Sequence, residues 1–125
     1  MVKNKSEEDI IFIVRQQNGK IAWLENGNDS VGLKHIKHEH SKEFQNIGIK
    51  DDLIPELLKK AIVHGKIIGH QKTKNKFPRK VYEVEFMGKI IKIAISISSN
   101  GFIVGANLIN KEKDIIRKKW NLDYV

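Results

Sequence analysis

The chain has 125 residues, 40% hydrophobic and 30% charged, which suits one folded domain with one core and excludes a disordered polar chain. It has no cysteine, so a disulfide scaffold, a zinc ribbon and a thiol nucleophile are excluded. A formal net charge of +8 and a pI near 9.7 favour a polyanionic partner, nucleic acid first.

The segment IIFIV, 10–14, is short, apolar and β-branched, and predicts a buried strand. Asn18-Gly19 is a turn signal, and KIAWL, 20–24, predicts a second strand. ENGNDS, 25–30, reads as a loop whose Asp29 or Ser30 caps a helix beginning at Val31. On that helix Leu33, Ile36, His40 and Phe44 share one side, and His35 and His38 lie roughly opposite. Gly48 is its stop. A second helix follows, capped by Asp51, with Pro55 in its first turn and Gly65 at its end. Its apolar stripe is Leu53, Ile54, Leu57, Leu58, Ala61 and Ile62.

The remainder reads as strands. KIIG, 66–69, is a short one, and QKTKNKFPRK, 71–80, is a basic loop. KVYEVEFM, 80–87, alternates, with Tyr82, Val84 and Phe86 pointing one way and Glu83 and Glu85 the other. After a tight turn at Gly88-Lys89, IKIAISIS, 91–98, puts four isoleucines on one face and Lys92, Ala94, Ser96 and Ser98 on the other. SSNG, 98–101, is a turn and FIVGAN, 102–107, a return strand. KEKDIIRKKW, 111–120, predicts a basic C-terminal helix. There are no repeats, and residues 1–125 read as a single domain. No apolar run approaches the roughly 18 residues of a membrane span, and MVKNKSEED lacks a signal-peptide core. The order of elements predicts an α+β fold, with helices packed on one face of a twisted antiparallel sheet.

Three groups of residues carry candidate chemistry. The first is GLKHIKHEHSKEF, 32–44, in which three of the five histidines fall within six positions. Three readings stand open there. A metal site needs three or four converging ligands, and only His35 and His38 at i, i+3 are placed to share one. An acid–base pair uses the proximity of the imidazole pKa to neutrality. The plain alternative is a partly buried His40 beside solvated neighbours. The second group is the loop 71–80, where Lys72, Lys74, Lys76, Arg79 and Lys80 put five cations in ten residues with no acid. Such a loop can clamp phosphates, with the arginine fork binding two oxygens at once. The third is the Ser96–Ser98 face with the SSNG turn, whose small hydroxyls leave room for a ligand. Tyr82 reads first as core packing.

Taken together, GLKHIKHEHSKEF, AIVHGK, RKVYEVEFMGK and IAISISSNGFIVGAN resemble the barnase–EndoU–colicin–RelE-like nuclease superfamily, over about Val31 to Asn107. The likeness is to the forms at the C-termini of bacterial polymorphic and contact-dependent inhibition toxins, and in phage-associated proteins. It implies two helices before a four-stranded antiparallel sheet, and RNA cleavage with neither cofactor nor metal. It implies His35 and His40 at the family's two histidine positions, Arg79 and Tyr82 at its basic and aromatic positions, and Ser98 or Ser99 at its hydroxyl position. Lys72, Lys74, Lys76, Lys80, Ser99 and Asn100 then bind substrate. The function it implies is a ribonuclease toxin acting on tRNA, in which a 2′-hydroxyl attacks the adjacent phosphate. Such a toxin is delivered as part of a larger protein, acts in the target-cell cytoplasm, and is neutralised by an acidic immunity protein. The rival expectation is a non-catalytic nucleic-acid-binding module that uses the basic loop with Arg117, Lys118, Lys119 and Trp120. A phage structural domain is a third.

Overall fold

The computed structural model describes residues 9–72 and 79–117. In the described residues, a hairpin of β1 (Ile10–Arg15) and β2 (Ile21–Glu25) is followed by α1 (Gly32–Asn46) and α2 (Ile54–His64). A single 3-10 turn, Asp51–Leu53, joins the helices. Then come β3 (Lys66–Gln71), β4 (Lys80–Phe86), β5 (Lys89–Ile97), β6 (Ile103–Leu108), a second 3-10 turn at Glu112–Asp114, and β7 (Ile115–Ile116). Strands β3 to β7 make one antiparallel sheet in the order β6-β5-β4-β3-β7, and β1 and β2 make a separate pair. The fold is α+β, with helices packed on one face of an antiparallel sheet.

The alternation in β4 and β5 decides which face is covered. Tyr82, Val84, Ile91, Ile93 and Ile95 are buried in one cluster with Leu33, Ile36 and Phe44 of α1 and Leu57, Leu58 and Ile62 of α2. The hairpin adds Phe12, Ala22 and Leu24 to the same cluster. Each fully buried aliphatic side chain contributes roughly 1.5–3 kcal/mol, which makes this side of the sheet the main source of stability. The other face carries a smaller cluster of Val81, Ala94 and Ile115, with Ile68 and Ile109 against it. Gln17 anchors the hairpin by donating from Nε2 to the carbonyls of Ile62 (3.2 Å) and Gly65 (2.7 Å) at the end of α2.

Four local expectations are corrected. Asp51 does not cap α2: it lies in the 3-10 turn, the N-cap of α2 is Leu53 with no side-chain bond, and the Asp51 carboxylate accepts from Ser41 Oγ at 2.5 Å. The C-terminal helix is absent from the described part of 111–120. Glu112–Asp114 is one 3-10 turn, and Ile115 and Ile116 pair with Gln71 and His70 as a short edge strand. Burial of Ile115 outweighs the helix propensity of the lysines around it. Residues Lys118, Lys119 and Trp120 lie outside the described residues.

The α1 cap also differs. Neither Asp29 nor Ser30 caps it, because Val31 is the N-cap residue and no side chain bonds there. Asn28 Oδ1 instead accepts from the Ser30 and Val31 amides, at 2.8 and 3.2 Å, closing a turn before the helix. The β4–β5 turn is centred on Met87-Gly88, since Phe86 pairs with Lys89. Both turn residues have positive φ, 53° and 79°, as a mirror-image two-residue hairpin turn requires.

Candidate active site

Arg79 immediately precedes β4, and its direction follows from the strand register. Lys80 pairs with Ile95 on the helix-covered face, so Arg79 points to the opposite face, beside Ser96 and Gly105. There Val104 is the extra residue of a β-bulge, because Ser96 pairs with Gly105 while Ile97 pairs with Ile103. The Ser96 hydroxyl donates to the Gly105 carbonyl at 3.3 Å. The Arg79 Nη1 donates to Asn107 Oδ1 at 2.6 Å, which fixes the guanidinium over β6. Burial pulls the Arg79 guanidinium below its ordinary pKa, yet it remains a cation.

His35 reaches the same spot from the first turn of α1. The loop before that helix is tightly folded: Gly32 has a φ of 84°, and a Cβ on it would lie 2.9 Å from the Glu25 carbonyl oxygen. The fold of this loop brings the Asp29 carbonyl to 2.7 Å from His35 Nδ1. A carbonyl only accepts, so Nδ1 carries the proton and Nε2 is the lone-pair nitrogen of the neutral ring. A backbone acceptor on Nδ1 is the usual device for fixing the tautomer of an imidazole that works through Nε2.

Gly105 is where the two groups meet. A Cβ on this residue would lie 2.7 Å from Arg79 Nη2 and 3.6 Å from His35 Cδ2, the ring carbon bonded to Nε2. The absence of a side chain therefore makes the notch in which an imidazole edge and a guanidinium face the same few ångströms. Chemically, the pair offers a planar cation that can bind oxyanion oxygens and a ring nitrogen that can accept a proton from a hydroxyl.

The other expected residues lie elsewhere. His40 sits five positions along α1 from His35, which in a regular helix is about 140° of rotation and about 7.5 Å of rise. It is half-buried and bonds Glu43 through Nδ1 at 3.0 Å. His38 is 66% exposed with Glu39 4.0 Å away. Among the described residues no three of His, Asp and Glu gather as a metal-ligand set. Tyr82 is 1% exposed in the helix-side core, on the opposite face from Arg79, and burial pushes its hydroxyl up to about 12. Ser98 shapes its own turn, accepting from the Phe102 amide at 3.0 Å and bonding Asn100 Oδ1. Lys72 is exposed, with its amide on the Asp114 carbonyl at 2.7 Å. Lys74 and Lys76 fall outside the described residues. Lys80, Ser98 and Ser99 line a separate cleft on the helix side of the sheet.

Sequence reasoning did not single out Gly105, Asn107 or the Asp29 carbonyl. The first two were within reach, because registering VGAN against AISIS places them beside Ser96 and Ala94. The carbonyl carries no side-chain signal. No family model and no curated protein matches the chain. No helix among the described residues is long and apolar enough to cross a membrane.

Proposed function

We propose that the protein is a ribonuclease that cuts RNA without a metal ion, and that it serves as the toxin domain of a larger delivered protein. The observation that carries this is the convergence of His35, with its tautomer fixed by Asp29, and the half-buried Arg79 on the side-chain-free notch at Gly105. The resemblance of residues 31–107 to the barnase–EndoU–colicin–RelE-like nucleases supports the same reading. So does the net charge of +8.

The chemistry assigns one role to each group. His35 Nε2 takes the proton from a ribose 2′-hydroxyl, and the 2′-oxygen attacks the adjacent phosphorus. The bond from phosphorus to the 5′-oxygen breaks, and that oxygen takes a proton from solvent. A 2′,3′-cyclic phosphate and a 5′-hydroxyl result, and His35 returns its proton to solvent. Arg79 stabilises the charge that builds on the non-bridging oxygens, and Asn107 positions Arg79. Acid–base help of this kind is worth roughly 10²–10⁴-fold. His40, Tyr82 and Ser98 have no chemical step in this scheme. The expected substrate is tRNA, and the expected antagonist is an acidic immunity protein that covers the basic surface.

The test is incubation of the purified chain with total RNA in EDTA. Cleavage by the wild type, and none by His35→Ala at equal concentration, is the expected result. Cleavage that requires an added divalent ion would refute the metal-free reading. Salt-sensitive binding of RNA with no cleavage would favour a nucleic-acid-binding module instead.

A further inference from the structure

A cleft of about 200 Å³ opens between the β1–β2 turn and the ends of β4 and β5, on the helix-covered side of the sheet. Its floor is apolar, the partly exposed Ile97 over the almost fully buried Ile95. Its rim is polar and positive, with Asn18 and Lys20 from the hairpin, Lys80 from β4 and Ser99 from the β5–β6 turn. Among the described residues neither Lys20 nor Lys80 has an acidic partner. The hairpin side is held in place by its own bonds. The Gln16 amide donates to the Lys20 carbonyl at 2.7 Å, Gly19 to Gln16 at 2.9 Å, and the Lys20 amide to Asn18 Oδ1 at 2.9 Å. Ser98 is committed to its turn, which leaves the neighbouring Ser99 hydroxyl on the rim.

We infer that this cleft holds one phosphate-bearing nucleotide of the RNA strand next to the nucleotide that is cut. The inference rests on the ribonuclease reading for the identity of the strand. Three features point to a nucleotide. Two unpaired ammonium groups on one rim suit a phosphate. The apolar surface of Ile97 suits the flat face of a base, and the amide and hydroxyl groups beside it suit the polar edge of that base. The volume lies below the roughly 300–1,000 Å³ of pockets that enclose a whole ligand, so it fits a single unit of a longer polymer.

Chain geometry ties the cleft to the notch. Arg79 and Lys80 are adjacent, with Cα atoms about 3.8 Å apart, and point to opposite faces of the sheet. A strand that contacts both Lys80 and Arg79 changes face of the sheet at the start of β4. The cleft then selects which base sits beside the cut.

The experiment titrates adenosine 3′,5′-bisphosphate, which lacks a phosphodiester to cut, into the isotopically labelled full chain and follows amide resonances. Shifts at Asn18, Lys20 and Ser99 are expected, together with a Kd about tenfold weaker in the Lys20→Ala/Lys80→Ala variant. Both lysines are exposed, so the variant keeps its fold, which its thermal melt verifies. Unchanged affinity in the variant, or shifts confined to His35 and Gly105, would overturn the inference. Equal shifts at equal affinity with inorganic phosphate would also overturn it, because the floor would then contact no base. The readout is binding, so it is independent of whether the chain cleaves RNA. A chain that binds the probe here but cuts nothing retains the cleft and refutes the ribonuclease reading alone.

Discussion

Gly105→Ala perturbs the notch with a single methyl group. Gly105 is not in the left-handed region, so alanine is compatible with its backbone. The added carbon would lie 2.7 Å from Arg79 Nη2 and 3.3 Å from Cζ, while His35 Cδ2 at 3.6 Å is ordinary contact. The clash is with the far end of a flexible side chain, so Arg79 swings aside by about an ångström and loses its bond to Asn107. The donor is a cation, so that bond is worth roughly 1.5–3 kcal/mol. Replacing glycine at a compatible position returns roughly 0.4–1 kcal/mol through the unfolded state. Stability is therefore expected to fall by roughly 0.5–2.6 kcal/mol. Activity is expected to fall about 10²-fold, the usual consequence of displacing a positioning group by an ångström. Urea denaturation and the rate of RNA cleavage, measured on the same preparation, separate the two effects. Full activity with alanine at 105 would refute the notch as the reaction site. A stability loss above about 3 kcal/mol would show that the glycine serves packing instead.

Other substitutions probe the neighbouring assignments. Arg79→Lys keeps the charge but loses the fork that reaches both Asn107 and a phosphate, and should lower the cleavage rate by about 10²-fold with little change in melting temperature. His40→Ala should leave cleavage within about threefold of wild type, since only a half-buried bond to Glu43, remote from Gly105, is lost, worth about 1 kcal/mol. Tyr82→Phe should cleave RNA at the wild-type rate. It should also remove a loss of stability on the alkaline side. The folded-state value of about 12 lies above the ordinary 10, so the wild type is stabilised below pH 10 and loses that contribution between roughly pH 10 and 12. Denaturation curves across that range, compared with the phenylalanine variant, check the sign. Met87→Asn should raise stability by about 1 kcal/mol, because Met87 is 61% exposed at a φ of 53° where asparagine is favoured, and a thermal melt measures it.

The architecture was legible because its strands alternate strictly and its second helix has an unbroken stripe. Ile91, Ile93 and Ile95 on one face of β5, and Leu57, Leu58, Ala61 and Ile62 on α2, leave few other ways to pair a sheet with a helix. The C-terminal segment was misread because its lysines and glutamate favour a helix locally, while Ile109 and Ile115 find a second apolar surface at Val81 and Ala94. That surface exists only once the sheet has formed.

The site was legible in part. The helical wheel put His35 opposite the core side of α1, which suggests solvent. It is occupied instead by the bulged edge of β6, and a wheel drawn for one helix has no knowledge of that strand. Tyr82 illustrates the reverse. Arg79 and Tyr82 are three residues apart at the start of a strand, so parity alone places them on opposite faces. The resemblance that grouped them as site residues speaks of positions along the chain, and not of the face each occupies.

The most direct measurement is the chemistry of the ends left on cleaved RNA. A short RNA bearing a label at its 5′ end, cut by the wild-type chain in EDTA, should give a fragment that ends in a 2′,3′-cyclic phosphate, and its partner should start with a 5′-hydroxyl. A substrate with a 2′-deoxy or 2′-O-methyl ribose at the cut should remain intact, because His35 then has no 2′-hydroxyl proton to take. Fragments with a 3′-hydroxyl and a 5′-phosphate, or cutting of the 2′-O-methyl substrate at the wild-type rate, would contradict attack by the 2′-oxygen and with it the role given to His35.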